Sequence, residues 1–176
     1  MIINSNRLKR LPPYILSKMK QMTLERRRQG IDVIDLSMGN PDRPTPEHIV
    51  QKLCEAASDS RNHRYSASRG IFNLRREVSR YYERRFGVSL DPESEVITVI
   101  GTKEGLSHLA LALIDEGDIA LVPNPTYPIH IYSIIIAGGN VMSIPMHDIN
   151  DFLPSLSKIS KELWPRPKML IINFPH

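Results

Sequence analysis

Residues 101–105 read GTKEG, directly after a β-branched run, Val96 to Ile100, and at the head of a helical pattern, Lys103 to Ile114. A second apolar run, Ile119 to Val122, follows Gly117, so the stretch is a strand, helix, strand unit. The first turn after such a strand directs free backbone N–H groups and the positive end of the helix dipole at one spot, where Thr102 adds a hydroxyl and Lys103 a cation. A phosphate suits that spot. The glycine spacing matches neither the Walker pattern nor the dinucleotide fingerprint, so the phosphate need not belong to a nucleotide. The second strand leaves the same carboxyl edge through PNPTYP, residues 123–128, a stiff loop that carries Tyr127 toward the phosphate spot. A phosphate cup beside a flat aromatic ring suits a phosphorylated, planar, heteroaromatic cofactor.

The elements around this unit alternate. Leu11 to Tyr14 form a rigid, proline-set entry to a helix over Ile15 to Gln29, ended by Gly30. The segment suits an arm lying on something else. A short strand is expected over Ile31 to Ser37, then a turn over Met38 to Asp42 in which Gly39 permits close backbone approach. Helices follow over Pro46 to Ala57 and Phe72 to Phe86, separated by a polar loop carrying YSASRG, residues 65–70. After the central unit come a helix over Ile129 to Ala137 capped by glycine, a strand over Asn140 to Pro145, a helix over Ile149 to Leu163 and a strand over Lys168 to Phe174. The fold class expected is α/β: a mainly parallel sheet with helices on both faces and right-handed crossovers, preceded by an N-terminal arm.

Composition narrows the function. At 176 residues, with 41% hydrophobic and 24% charged, the chain reads as globular, and its formal net charge of +4 mildly favours an anionic ligand or partner. The basic clusters at Arg7 to Lys20, Arg26 to Arg28 and Arg61 to Arg85 have few aromatics interleaved as stacking platforms, so they suit solvated faces and subunit contacts better than nucleic acid. Cys54, the single cysteine, forms no intrachain disulfide. No apolar run approaches the ~18 residues of a membrane span and no leader pattern is present, so no membrane partner and a cytoplasmic location are expected. The six histidines, His48, His63, His108, His130, His147 and His176, show no metal-ligand spacing. Asp115, Glu116 and Asp118 read as a loop cluster and not a catalytic pair.

Several motifs in order, RLPPY, DLSMGNPD, YSASRGI, IGTKEGLSHL, PNPTYPIHIY and NFPH, resemble the pyridoxal-phosphate aminotransferases of fold type I, in the branch of the alanine and LL-diaminopimelate aminotransferases. The resemblance implies that residues 1–45 are an arm and small-domain segment and 46–176 the N-terminal part of the cofactor-binding large domain. It implies pyridoxal 5'-phosphate as cofactor, an amino acid (alanine, glutamate or a related donor) and a 2-oxo acid as substrates, and a homodimer. By the same resemblance the backbone of Thr102 and Lys103 holds the phosphate, Tyr127 stacks on the pyridine ring, and Tyr65 reaches the phosphate in the neighbouring subunit. Gly39 approaches the substrate carboxylate through its backbone, and Tyr14 lines the substrate pocket. Each has a bland alternative: a packed loop aromatic for Tyr127, a surface tyrosine for Tyr65, a solvated helix-start residue for Lys103 and a plain turn glycine for Gly39.

The family's Schiff-base lysine, its pyridine-nitrogen aspartate and its arginines are expected beyond His176. The Ser-x-x-Lys at Ser155 to Lys158 lies in a helical pattern ahead of the last strand, so Lys158 is read as a surface residue. The 176-residue chain is therefore expected to be an inactive fragment of an enzyme. The alternative is a catalytically dead, shortened product that either binds a full-length partner through the Tyr65 face or is an inert relic.

Overall fold

The structure, a computed structural model, describes residues 5–39, 41–146 and 148–173, the side chains of Ile149 and Asp151 apart. Asn40 of the expected turn, His147, and the Phe174 to His176 end of the last expected strand lie outside the described residues. In chain order the elements are α1 (Asn6–Lys9), α2 (Ile15–Arg28), α3 (Glu47–Ser58), a 3-10 turn (Ser60–Asn62), α4 (Phe72–Phe86), α5 (Thr102–Leu113), β1 (Ile119–Asn124), α6 (Pro128–Ala137), β2 (Asn140–Pro145), α7 (Ile149–Glu162) and β3 (Met169–Leu170). They form two compact units, one of residues Met1–Pro13 with Val99–His176 and one of Tyr14–Thr98.

The first unit is built on a parallel sheet in the order β2-β1-β3. Ile119 pairs with Asn140 and Asn124 with Pro145 along β1 and β2, while Ala120 and Leu121 pair with Met169 and Leu170. The chain steps outward from β1 to β2 through α6 and back across β1 to β3 through α7. Because crossovers between parallel strands are right-handed, reversing the direction of the step moves the connecting helix to the opposite face. The packing follows. Ala120 joins Ala110 and Ile114 of α5 and Ile134 of α6 in one core cluster, while the next residue, Leu121, joins Ile144 and Phe152 of α7 in another. The sheet is thus covered on both faces, as the alternating pattern of the sequence predicts.

Local chemistry sets the ends of these helices. Gly138 ends α6 at φ +102, a left-handed cap that a side chain would strain. At Gly139 a Cβ would lie 2.4 Å from Ile114 Cγ2, so the turn into β2 passes too close to α5 for any other residue.

The second unit is organised differently. Val96 is its one buried hydrophobic residue among those described, and a buried arginine holds it together. Arg75 of α4, 6% exposed, donates to the carbonyls of Pro92 and Gly70, pairs with Glu93 Oε2 at 3.1 Å and lies 5.7 Å from the Phe72 ring centroid. A guanidinium can be buried here because its fixed fork of donors finds several acceptors at once.

Two expected strands are corrected. Residues 31–37 and 96–100 form no strand and join no sheet, with bends at Ser37 and Ile100. β-branched composition favours extension, yet a strand also needs a neighbour offering a ladder, and none among the described residues does. Ile34, Leu36, Ile97 and Ile100 are consequently 83, 90, 65 and 93% exposed. In the last expected strand, pairing is confined to Met169–Leu170, flanked by Lys168 N–H donating to Ile119 O and Ile171 N–H to Leu121 O.

Candidate functional site

α5 leads into β1 and α6 leads out of it, so both helices run against the strand and both begin at its carboxyl edge. That common edge is where the chemistry-bearing residues gather. Gly101, at φ +88, is the N-cap of α5, a backbone conformation that explains the glycine. No side chain caps the helix, and the N–H groups of its first turn, those of Thr102 and Lys103 included, have no acceptor within the helix. Glu104 reaches back to the N–H of Ile100, ahead of the cap.

At the end of β1 the cis Asn124–Pro125 peptide, Thr126 and Tyr127 lead into α6, where Tyr127 is the N-cap and Pro128 the first helical residue. Pro128 fits because its missing N–H is one the helix start could not use. Tyr127 is 42% exposed. Lys103 Nζ lies 5.4 Å from its ring centroid, a cation over an aromatic face. Lys103 and Tyr127 thus come together, with Thr102 next to Lys103 in the first turn of α5.

His130 completes the group, and sequence reasoning missed it. It is 5% exposed, its Nδ1 lies 2.7 Å from Thr126 Oγ1, and its ring meets Tyr127 edge-on at 6.2 Å. Burial lowers its pKa below the ordinary histidine value, which keeps the imidazole neutral at pH 7. The available signal was spacing: Thr126, Tyr127 and His130 stand at i, i+1 and i+4 across a helix start, where i and i+4 side chains meet.

The remaining candidates belong to the second unit. Tyr14 is the N-cap of α2 and 41% exposed. Gly39 is exposed, and a Cβ there would meet nothing within 4 Å. Tyr65 is fully exposed, in a loop braced on one side by the Asp59–Arg61 ion pair at 2.8 Å and on the other by Gly70. A Cβ on Gly70 would fall 1.6 Å from Thr98 Oγ1, so the YSASRG loop can close only with glycine at that point. Asp118, of the acidic cluster, is structural: its Oδ2 accepts from Lys168 Nζ and from the N–H of Asp115, each at 2.8 Å.

The sequence profile of the family described as "Aminotransferase class I and II" matches residues 31–176. The chain belongs to the class I and II aminotransferases. This member is 53% identical over 169 residues to the glutamate-pyruvate aminotransferase AlaC of Escherichia coli K12, covering 96% of the chain and 41% of that protein. It is 44% identical to the LL-diaminopimelate aminotransferase of Dehalococcoides mccartyi strain BAV1, covering 98% of the chain and 44% of that protein. Among solved structures, apo-BacF from Bacillus subtilis superimposes with a TM-score of 0.88 at 36% identity over all of the chain and 45% of its own. An aspartate aminotransferase from Thermotoga maritima gives 0.85 at 29% identity, covering 98% of the chain and 46% of that structure. The aminotransferase chain therefore spans less than half the length of these relatives, and its fold is that of fold type I.

Proposed function

We propose that this chain carries the phosphate-holding and ring-stacking part of a pyridoxal 5'-phosphate-dependent aminotransferase, acting between an amino acid such as alanine or glutamate and a 2-oxo acid. The observation that carries the reading is the juxtaposition of the uncapped start of α5 with the Lys103 ammonium and the Tyr127 ring. These residues fit the cofactor. The backbone at Thr102 and Lys103 offers donors and positive potential to a dianionic phosphate, and Tyr127 offers a half-open aromatic face to a planar ring. Bound there, the cofactor supplies an electron sink that stabilises negative charge at the amino acid's α-carbon.

In this reading the chain's own residues bind and orient. Neutral His130, tied to Thr126, buttresses the Tyr127 ring from its edge. Gly39, bare of a side chain, admits a carboxylate to the backbone, and Tyr14 lines the substrate pocket. Fully exposed Tyr65 reaches the phosphate held by a second copy, which makes the enzyme a homodimer. Residues 1–45 serve as arm and small-domain segment, 46–176 as part of the large domain, and the lysine that takes the cofactor covalently lies outside these residues. The reading places the enzyme in the cytoplasm; among the described residues no helix is long and apolar enough to cross a membrane.

Titration with pyridoxamine 5'-phosphate, which has no aldehyde to react with stray lysines, tests the reading. Binding should exceed that of pyridoxamine, weaken with salt, and lose about 0.5–1.5 kcal/mol in Tyr127→Ala. Equal affinity for the two probes refutes the phosphate cup.

A further inference from the structure

The sequence assigns the N-terminal residues no role beyond an arm, yet they make a specific set of contacts on α6. Tyr132 OH donates to Pro12 O at 2.8 Å, and Arg7 Nη1 donates to Ile136 O at 3.1 Å. Arg10 donates to Gly138 O at 3.4 Å, Gly139 O at 2.7 Å and Asn140 Oδ1 at 2.9 Å. Three of these acceptors, Ile136 O, Gly138 O and Gly139 O, are backbone carbonyls at the end of α6 and in the turn beyond it. The cap N–H of Gly138 already serves Ile134 and Ile135, and the carbonyls beyond them have no acceptable partner inside the helix. Two guanidiniums at the negative end of a helix dipole satisfy them.

We propose that residues Ser5 to Pro13 are a strap that positions α6, and through it Tyr127, with Arg10 as the residue that fastens it. The attachment is polar. No residue of α1 is buried and Leu8 remains 53% exposed, so apolar burial contributes little and the hydrogen bonds carry the segment. Arg10 spans the C-cap of α6, Gly138, and the first residue of β2, Asn140, joining helix end to strand across the two glycines. On the other side of that turn Gly139 lies against Ile114 of α5. The C-terminal end of α6 is thus gripped between α5 and the strap. A ten-residue helix moves as a body, so fixing this end fixes its N-cap, Tyr127, against Lys103. Arg10 is a positioning residue for that ring, a role that rests on the reading of Tyr127 as the stacking face.

The test uses the whole chain with Arg10→Gln and Arg10→Lys. Two readouts need no ligand: amide exchange across residues 132–141 compared with β1, and the ring-current shift of the Lys103 ε-methylene protons, which reports where Tyr127 sits. Arg10→Gln should speed exchange at 132–141 by about tenfold, the change expected for losing a charge-assisted hydrogen bond, leave β1 protected, and move the Lys103 signal. Arg10→Lys should fall between, because an ammonium keeps the charge but does not fork to three acceptors. Unchanged exchange at 132–141 overturns the strap. Exchange that rises equally in β1 also overturns it, by making Arg10 a contributor to general stability. Faster exchange with an unmoved Lys103 signal overturns the positioning of Tyr127. Pyridoxamine 5'-phosphate is titrated separately: if the unmodified chain does not bind it, the cofactor reading fails while the two ligand-free readouts still decide the strap.

Discussion

Replacing Ile134 by alanine is the sharpest single perturbation of the architecture that brings the two helix starts together. Ile134 is fully buried and sits where α5, α6 and β1 meet, among Ala110, Ile114 and Ala120. The substitution removes three carbons, about 2.4 kcal/mol at about 0.8 kcal/mol per buried methylene. A cavity cost adds to this, and its size depends on how far the neighbours can close in. Two of them are alanines, with no side chain to swing, and a Cβ at Gly139 would already be 3.1 Å from Ile134 Cγ2, so backbone lines another wall. The site cannot collapse. We therefore expect about 3–4 kcal/mol for Ile134→Ala and about 1 kcal/mol for Ile134→Val, read from urea midpoints at constant m. Leu111→Ala on the outer face of α5, where the side chain is 54% exposed, is the control and should cost under about 1 kcal/mol. A loss below about 1.5 kcal/mol for Ile134→Ala, or one no larger than that for Leu111→Ala, would refute the packing argument.

Other outcomes follow from the same geometry. Because burial lowers the His130 pKa, the unfolded chain binds the proton more readily below pH about 6.5, so this contribution to stability is complete above that pH and declines as pH falls toward the folded pKa. Urea midpoints across about pH 5–8 should show that slope, and His130→Gln should flatten it. Gly139→Ala forces a Cβ into Ile114 and should destabilise by about 1–3 kcal/mol, with Ile114→Val recovering part of the loss. Asp118 is held below the ordinary carboxylate range by its hydrogen bond from Lys168, so its contribution is present above that range and is lost as pH falls through the lowered pKa. Both partners face solvent; the effect of Lys168→Met should therefore shrink in ~1 M salt, and a salt-independent loss would show that the pair acts through something other than charge.

The parts of the fold legible in the sequence are those whose cause is local. α4 runs over Phe72–Phe86, the range expected from the sequence, and Gly138 ends α6 because a left-handed cap calls for glycine. β1 and β2 were legible because both are apolar and joined by a helix of the length a parallel crossover needs. The placement of the candidate residues was legible where it depends on a single turn: Thr102 and Lys103 at a helix start, Tyr127 at the next. The position of His130 was not, since its burial and its contact with Thr126 are not announced by a lone histidine in an apolar run. Nor did residues 5–13 reveal their seat, since Arg7 and Arg10 recognise carbonyl groups, which every residue carries.

The misread strands have one physical cause, and it yields a prediction. Val96 to Ile100 has the composition of a central strand, yet composition fixes only the preference for extension; the ladder comes from a neighbour. The hydrogen bonds of this segment do not run on into a ladder: Thr98 N–H donates to the backbone carbonyl of Arg69 at 3.2 Å, and Ile100 N–H to the Glu104 carboxylate. β1, by contrast, has a strand on each side and four consecutive buried residues. Amide exchange in this chain should therefore find β1 strongly protected and residues 97–100 exchanging faster by orders of magnitude, although both read as strands. Equal protection would mean that a ladder forms on 96–100 after all. The contrast bears on the site, because this segment ends at Gly101 and sets the angle at which α5 begins. A partner strand laid along it would tighten the start of α5, where Thr102 and Lys103 stand, without touching either residue.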